Sequence, residues 1–198
     1  MGETGVNNGK RRFLLVASSV AGGAAAVAVA VPFVWSMVPS ARARAAGAPV
    51  EVDISKVEAG MMIRAEWRSQ PVWIVRRTPE MVERLKGMDS RVADPNSERQ
   101  QQPEYARNEY RSRKPEWLVL IGICTHLGCS PTDKLQAGAD SGLGEDWPGG
   151  FFCPCHGSKF DLAGRVFKDV PAPTNLVVPK YQFLTDTRLL IGEDSKGA

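Results

Sequence analysis

Cys124-Thr125-His126-Leu127-Gly128-Cys129 and Cys153-Pro154-Cys155-His156-Gly157-Ser158 together hold all four cysteines and both histidines of this 198-residue chain. Isolated cysteines and histidines are ordinarily core or surface residues. Two matched Cys/His clusters joined by a Gly-rich stretch point instead to a metal. Six candidate ligands then compete for four positions. Zinc would take any four in a tetrahedron, but zinc fingers usually bring both cysteines from one segment and both histidines from another. Here each segment supplies its own Cys and His, as Cys124-x-His126 and Cys153-x-x-His156. That pattern suits a binuclear iron-sulfur cluster with two thiolates on one iron and two imidazoles on the other. The remaining cysteines, Cys129 and Cys155, read as lying at equivalent places in the two loops. They are either cross-linked in an oxidising compartment or left as two free buried thiols.

Outward from these motifs the pattern is that of short strands. Glu116-Trp117-Leu118-Val119-Leu120-Ile121-Gly122 is apolar enough to be a buried strand leading into the first motif. Glu51-Val52-Asp53-Ile54 and Gln70-Pro71-Val72-Trp73-Ile74-Val75 are β-branched and aromatic runs between turn formers. Val177 to Leu184 and Arg188-Leu189-Leu190-Ile191 repeat the theme around a Thr185-Asp186-Thr187 turn. One short helix is expected from Thr78 to Leu85, with Thr78 as N-cap and Pro79 in its first turn. The polar residues 89–114, rich in Arg, Gln and Glu, read as a solvated loop or helix on the surface. The fold class is mainly β and antiparallel, in a domain over residues 50–198.

The N-terminal part differs in kind. Residues 13–39 contain no charge and are mostly Ala, Val, Gly and Leu. A bilayer core needs roughly 20 apolar residues, and the apolar region of a cleaved signal peptide has only about 7–15. The stretch is therefore read as an uncleaved transmembrane anchor. Residues 1–12 before it carry Lys10-Arg11-Arg12-Phe13-Leu14-Leu15, a twin-arginine pattern of bacterial export. Residues 40–49, small and Ala-rich with Gly47 and Pro49, read as a hinge tether of either helical or flexible conformation. The formal net charge of +3 lacks the concentrated basic footprint of nucleic-acid binding, so a membrane and protein partners are expected.

With these residues in view, the chain resembles the Rieske iron-sulfur subunits of ubiquinol-cytochrome c reductase, the cytochrome bc complex, from the twin arginines to the last strands. The resemblance implies an antiparallel Rieske-type β domain with an inserted cluster-binding part over about residues 118–173, plus one transmembrane helix. It implies one 2Fe-2S cluster, with Cys124 and Cys153 on the inner iron and His126 and His156 on the outer one. It further implies a Cys129–Cys155 disulfide, a Ser158 hydrogen bond to a cluster sulfur, and a Pro171-Ala172-Pro173 loop covering the cluster. Leu127, with that loop, would dock at the quinone site of a cytochrome b subunit. His156, with His126 as second candidate, would take a proton from ubiquinol as the cluster takes an electron, which then passes to a c-type cytochrome subunit. The implied setting is a dimeric complex in the bacterial inner membrane, with the Rieske domain on the periplasmic side.

Two positions depart from the family pattern. Phe160 stands where well-known members have a Tyr whose hydroxyl bonds a cysteine sulfur, and Val170 stands where they have Gly before Pro-Ala-Pro. The rival readings are another exported Rieske carrier, such as the small subunit of a molybdenum oxidase, and a membrane-anchored zinc domain without redox activity. The Gly128-Cys129-Ser130-Pro131-Thr132 run, Ser158 and the proline loop favour the quinol enzyme. Rieske oxygenases and their ferredoxins usually lack the second Cys of each motif.

Overall fold

A computed structural model describes Gly5 and residues 7–194; the other residues of the expected N-terminal segment and residues 195–198 lie outside the described residues. The chain divides into two compact units between Ala45 and Ala46. The first is dominated by α1, Asn8–Ser36, whose N-cap Asn7 accepts a hydrogen bond from the Lys10 amide. Its 29 residues span about 44 Å at the rise of an α-helix, enough to cross a membrane. None of its side chains is buried by protein. Its Ser18 and Ser36 hydroxyls donate back to the carbonyls of Leu15 and Phe33, which satisfies both within the helix. A short helix, α2, covers Ala41–Ala46 and is capped by the Ser40 hydroxyl, which accepts from the Ala43 amide. The tether is thus helical over most of its length.

The second unit contains β1 (Val50–Asp53), β2 (Met62–Trp67), β3 (Gln70–Arg76), α3 (Pro79–Glu83), β4 (Trp117–Ile121), β5 (Thr132–Lys134), β6 (Gly150–Phe152), β7 (Lys159–Asp161), β8 (Tyr181–Thr185) and β9 (Arg188–Ile191). These form three antiparallel three-stranded sheets, ordered β1-β9-β8, β2-β3-β4 and β5-β6-β7. The third sheet lies wholly between β4 and β8 in sequence, so the segment carrying both metal motifs is an insertion into the other two. All five residues of β4 are buried, as the apolar run from Trp117 foreshadows. Its register sets Val119 opposite Ile74 and Leu120 opposite Trp73. The Trp73 indole lies against Gly122, where a Cβ would clash with the ring. Glycine is therefore required at the point where β4 turns into the first motif.

Three expectations change. The strand foreseen from Val177 begins only at Tyr181, because the preceding residues bond elsewhere: Val177 accepts from the Ile121 amide and the Val178 amide donates to Gln101. β2 and the short strands β5 to β7 have no strong alternating pattern and escape a sequence reading. The third concerns residues 89–114, which do not simply sit on the surface. Val92, Ala106, Arg111 and Ser112 are buried, and the segment wraps the core. Its Arg111 joins Arg77 and Arg165 in holding residues 161–165, the turn after β7. Arg77 donates to the Leu162 carbonyl, Arg111 to those of Ala163 and Gly164, and Arg165 to the Asp161 carboxylate.

Candidate metal centre

The two motifs fold into loops with one hydrogen-bond scheme. In the first, the Cys124 amide donates to the Cys129 carbonyl and the Gly128 amide returns to Cys124; in the second, the Cys153 amide donates to Ser158 and the Gly157 amide returns to Cys153. Gly128 and Gly157 both have left-handed backbones, with φ of 84° and 77°, which glycine adopts without steric cost. This matched folding superposes Cys124 on Cys153, but His126 on Cys155, Leu127 on His156 and Cys129 on Ser158. Cys129 and Cys155 are therefore not at equivalent places, contrary to expectation. They are nevertheless joined in a disulfide, with Cα atoms 6.7 Å apart across 26 residues.

The offset has a chemical result. Cys124 and Cys153, the two free cysteines, are both buried, and their thiols lie near enough to influence one another's ionisation. The His126 and His156 rings meet edge to face with centroids 4.7 Å apart. His156 is exposed and His126 half-buried. The donors thus form a thiol pair inside and an imidazole pair outside, which fits a binuclear cluster with unlike iron sites. The sulfurs of Cys129, Cys153 and Cys155 also lie within 4.8 Å of one another. Two of them are consumed in the disulfide, so that trio is no metal site. Burial pushes the Cys124 thiol above its ordinary range, opposed by the His126 amide and the Ser158 hydroxyl that contact the sulfur.

Ser158 is fully buried, and its Oγ accepts a 3.0 Å hydrogen bond from the Ala172 amide. The proline loop is tied to the other motif as well, since the Thr125 hydroxyl donates to the Thr174 carbonyl at 2.7 Å. Arg99 holds the Pro173 carbonyl. Sequence reasoning missed both contacts: a polar residue between two candidate ligands is the signal for Thr125, and Arg99, distant in sequence, offers none. Pro171 and Pro173 are exposed, whereas Ala172 is buried and serves the loop through its amide. Leu127 is 72% exposed beside the histidines. The left-handed residue before the loop is Asp169, with φ of 58°, so Val170 needs no glycine-like backbone. Phe160 is fully buried opposite Phe151 and offers no hydroxyl to a sulfur.

Residues 101–182 match the family described as the Rieske [2Fe-2S] domain. Residues 1–40 match the TAT signal of the ubiquinol-cytochrome c reductase Fe-S subunit. Fold, loops and match define a Rieske iron-sulfur protein with one 2Fe-2S cluster and a helix able to anchor it. The chain is 61% identical over 198 residues to the ubiquinol-cytochrome c reductase iron-sulfur subunit of Allochromatium vinosum, covering 100% of this chain and 95% of that one. It is 44% identical over 184 residues to the subunit of the same name from Blastochloris viridis, covering 92% of each. The chain belongs to the family of ubiquinol-cytochrome c reductase iron-sulfur subunits.

Proposed function

We propose that this protein is the electron-accepting subunit of a respiratory cytochrome bc complex, taking one electron from ubiquinol beside a cytochrome b subunit and giving it to a c-type cytochrome subunit. In this reading Cys124, His126, Cys153 and His156 hold the cluster. The observation that carries it is the arrangement of two buried thiols behind two outward imidazoles. When bound, the cluster supplies a one-electron acceptor, and imidazole ligation places its potential in the Rieske range of about −150 to +300 mV.

The chain's own residues prepare the encounter. The exposed His156 edge accepts a hydrogen bond from the quinol hydroxyl and takes its proton, with His126 as the second such edge. Leu127, Pro171 and Pro173 offer apolar contact to the cytochrome b surface and keep water from the donor. Ser158 and the Ala172 amide fix the inner sulfur's surroundings. The twin-arginine segment implies that the cluster is inserted in the cytoplasm and the folded domain exported, which puts residues 50–198 in the periplasm and α1 in the inner membrane as a single anchor. Residues 40–49 act as the hinge between the two redox partners, and the complex is a dimer.

Replacing Cys153 by Ser in the intact complex tests the ligand role. Quinol-driven reduction of cytochrome c should stop while the haems of cytochrome b remain spectroscopically normal. Turnover at the parent rate would exclude the proposed ligand and the electron route together.

A further inference from the structure

Arg77 and Arg111 are as buried as any aliphatic side chain, at 2% and 0% exposure. Arg77 donates to the carbonyls of Pro115 (2.7 Å), Tyr110 (3.0 Å) and Leu162 (3.0 Å) and to the Ser112 hydroxyl (2.8 Å). Arg111 donates to the carbonyls of Ala163 (3.1 Å), Gly164 (3.3 Å) and Leu176 (2.7 Å) and to the Gln102 amide oxygen (3.0 Å). Every acceptor is neutral. Arg165, in contrast, is paired with Asp161 at 2.7 Å and Asp89 at 3.0 Å. Among the described residues neither Arg77 nor Arg111 forms an ion pair. Desolvation lowers each guanidinium to a pKa of about 10, so both stay charged at neutral pH.

Burying an unpaired charge is costly even when most of its hydrogen bonds are made, and the buried Arg111 Nε has no partner among the described residues. Both charges sit where the cost has a use. They grip the turn that closes β7, the strand beginning directly after Ser158. That turn packs against β4, the strand that leads into the first motif: a Cβ on Gly164 would lie 2.8 Å from Leu120 and 3.3 Å from the Arg111 guanidinium. Leu120 is only four residues from Cys124, and four residues of chain span at most about 14 Å. The intervening space is packed core, where charges are screened far less than at a surface.

We infer that Arg77 and Arg111 raise the midpoint potential of the cluster as buried cations without an ion-pair partner, on the turn that follows the second ligand loop and its β7 strand. The Asp161 carboxylate acts on both but is itself paired with Arg165. An added electron makes the cluster more negative, so fixed positive charge in a poorly screened interior favours the reduced state. They act as positioning and field-setting residues, without touching the reacting atoms. The inference rests on the two loops holding the cluster.

Redox titration of the intact complex, followed by electron paramagnetic resonance, tests it. Arg111→Gln and Arg77→Gln should each lower the midpoint potential while leaving the line shape of the Rieske spectrum unchanged. Ser112→Ala removes a hydrogen bond from the same Arg77 guanidinium but no charge, and should leave the potential where it is. A parent-like potential in a glutamine variant with a normal spectrum overturns the inference. So does an equal drop in Ser112→Ala, which would mean loosening rather than charge. If neither glutamine variant assembles, Arg111→Lys decides: the parent potential supports a charge effect and a clear drop contradicts it. Absence of any Rieske spectrum in the parent would instead sink the ligand assignment itself.

Discussion

The Ser158 hydroxyl accepts from the Ala172 amide and contacts the Cys124 sulfur, so it links the covering loop to the inner ligand pair. Removing it in Ser158→Ala deletes a sulfur hydrogen bond worth about 1–1.5 kcal/mol. For a one-electron couple the potential falls by about 40 mV for each kcal/mol by which that bond favours the reduced cluster, a drop readable in a redox titration. Phe160→Tyr is predicted to do the reverse. Its ring is fully buried, so an added hydroxyl must find an acceptor, and a cysteine sulfur is the acceptor the family pattern supplies. A rise of similar size is expected; an unchanged potential with lowered stability would show that the hydroxyl does not reach a sulfur. The two Cys/His loops were legible because cysteine and histidine are rare here and confined to two short motifs, whereas the Cys129–Cys155 disulfide, one of two readings the residues left open, was the one the family resemblance implied. The pseudo-equivalence of Cys129 and Cys155 was misread because one-dimensional spacing does not reveal that Ser158, not Cys155, shares the place of Cys129.

At the scale of elements, β4 and its neighbours carry the site. Gly122→Ala drives a methyl into the Trp73 indole, and overpacking of this kind costs about 1–3 kcal/mol. Thermal unfolding should show the loss, with release of the cluster at a lower temperature. The Cys129–Cys155 cross-link closes a loop of 26 residues, for which chain entropy gives about 3.5 kcal/mol. A Cys129→Ser, Cys155→Ser double variant should lose about that much in denaturant titration. β3, β4 and α3 could be read in advance because long apolar runs and a Thr-Pro cap have few alternative solutions. β5 to β7 could not, since three-residue strands are imposed by pairing rather than propensity, and the six residues of β2 show no strong alternation. Residues 89–114 misled for a related reason. Arginine in a polar segment ordinarily signals solvent, and only the carbonyls of a distant turn, at Ala163 and Gly164, account for burying Arg111.

For the whole molecule, the division between Ala45 and Ala46 separates an apolar helix from a domain with its own core. If the domain moves between partners on residues 40–49, shortening that segment should slow quinol-cytochrome c turnover several-fold. The cluster's spectrum and potential should not change, because that segment contains no cysteine or histidine. Unchanged turnover would show that movement does not limit the rate. The helical form of α2 makes length, rather than composition, the variable to alter first.

The most direct measurement is a low-temperature electron paramagnetic resonance spectrum of reduced membranes, recorded with and without an inhibitor of the quinol oxidation site. A Rieske spectrum that shifts with the inhibitor is the predicted result, since it requires both mixed histidine and cysteine ligation and docking at a cytochrome b quinol site. A Rieske spectrum indifferent to the inhibitor would contradict docking there, and the absence of any such spectrum would contradict the cluster.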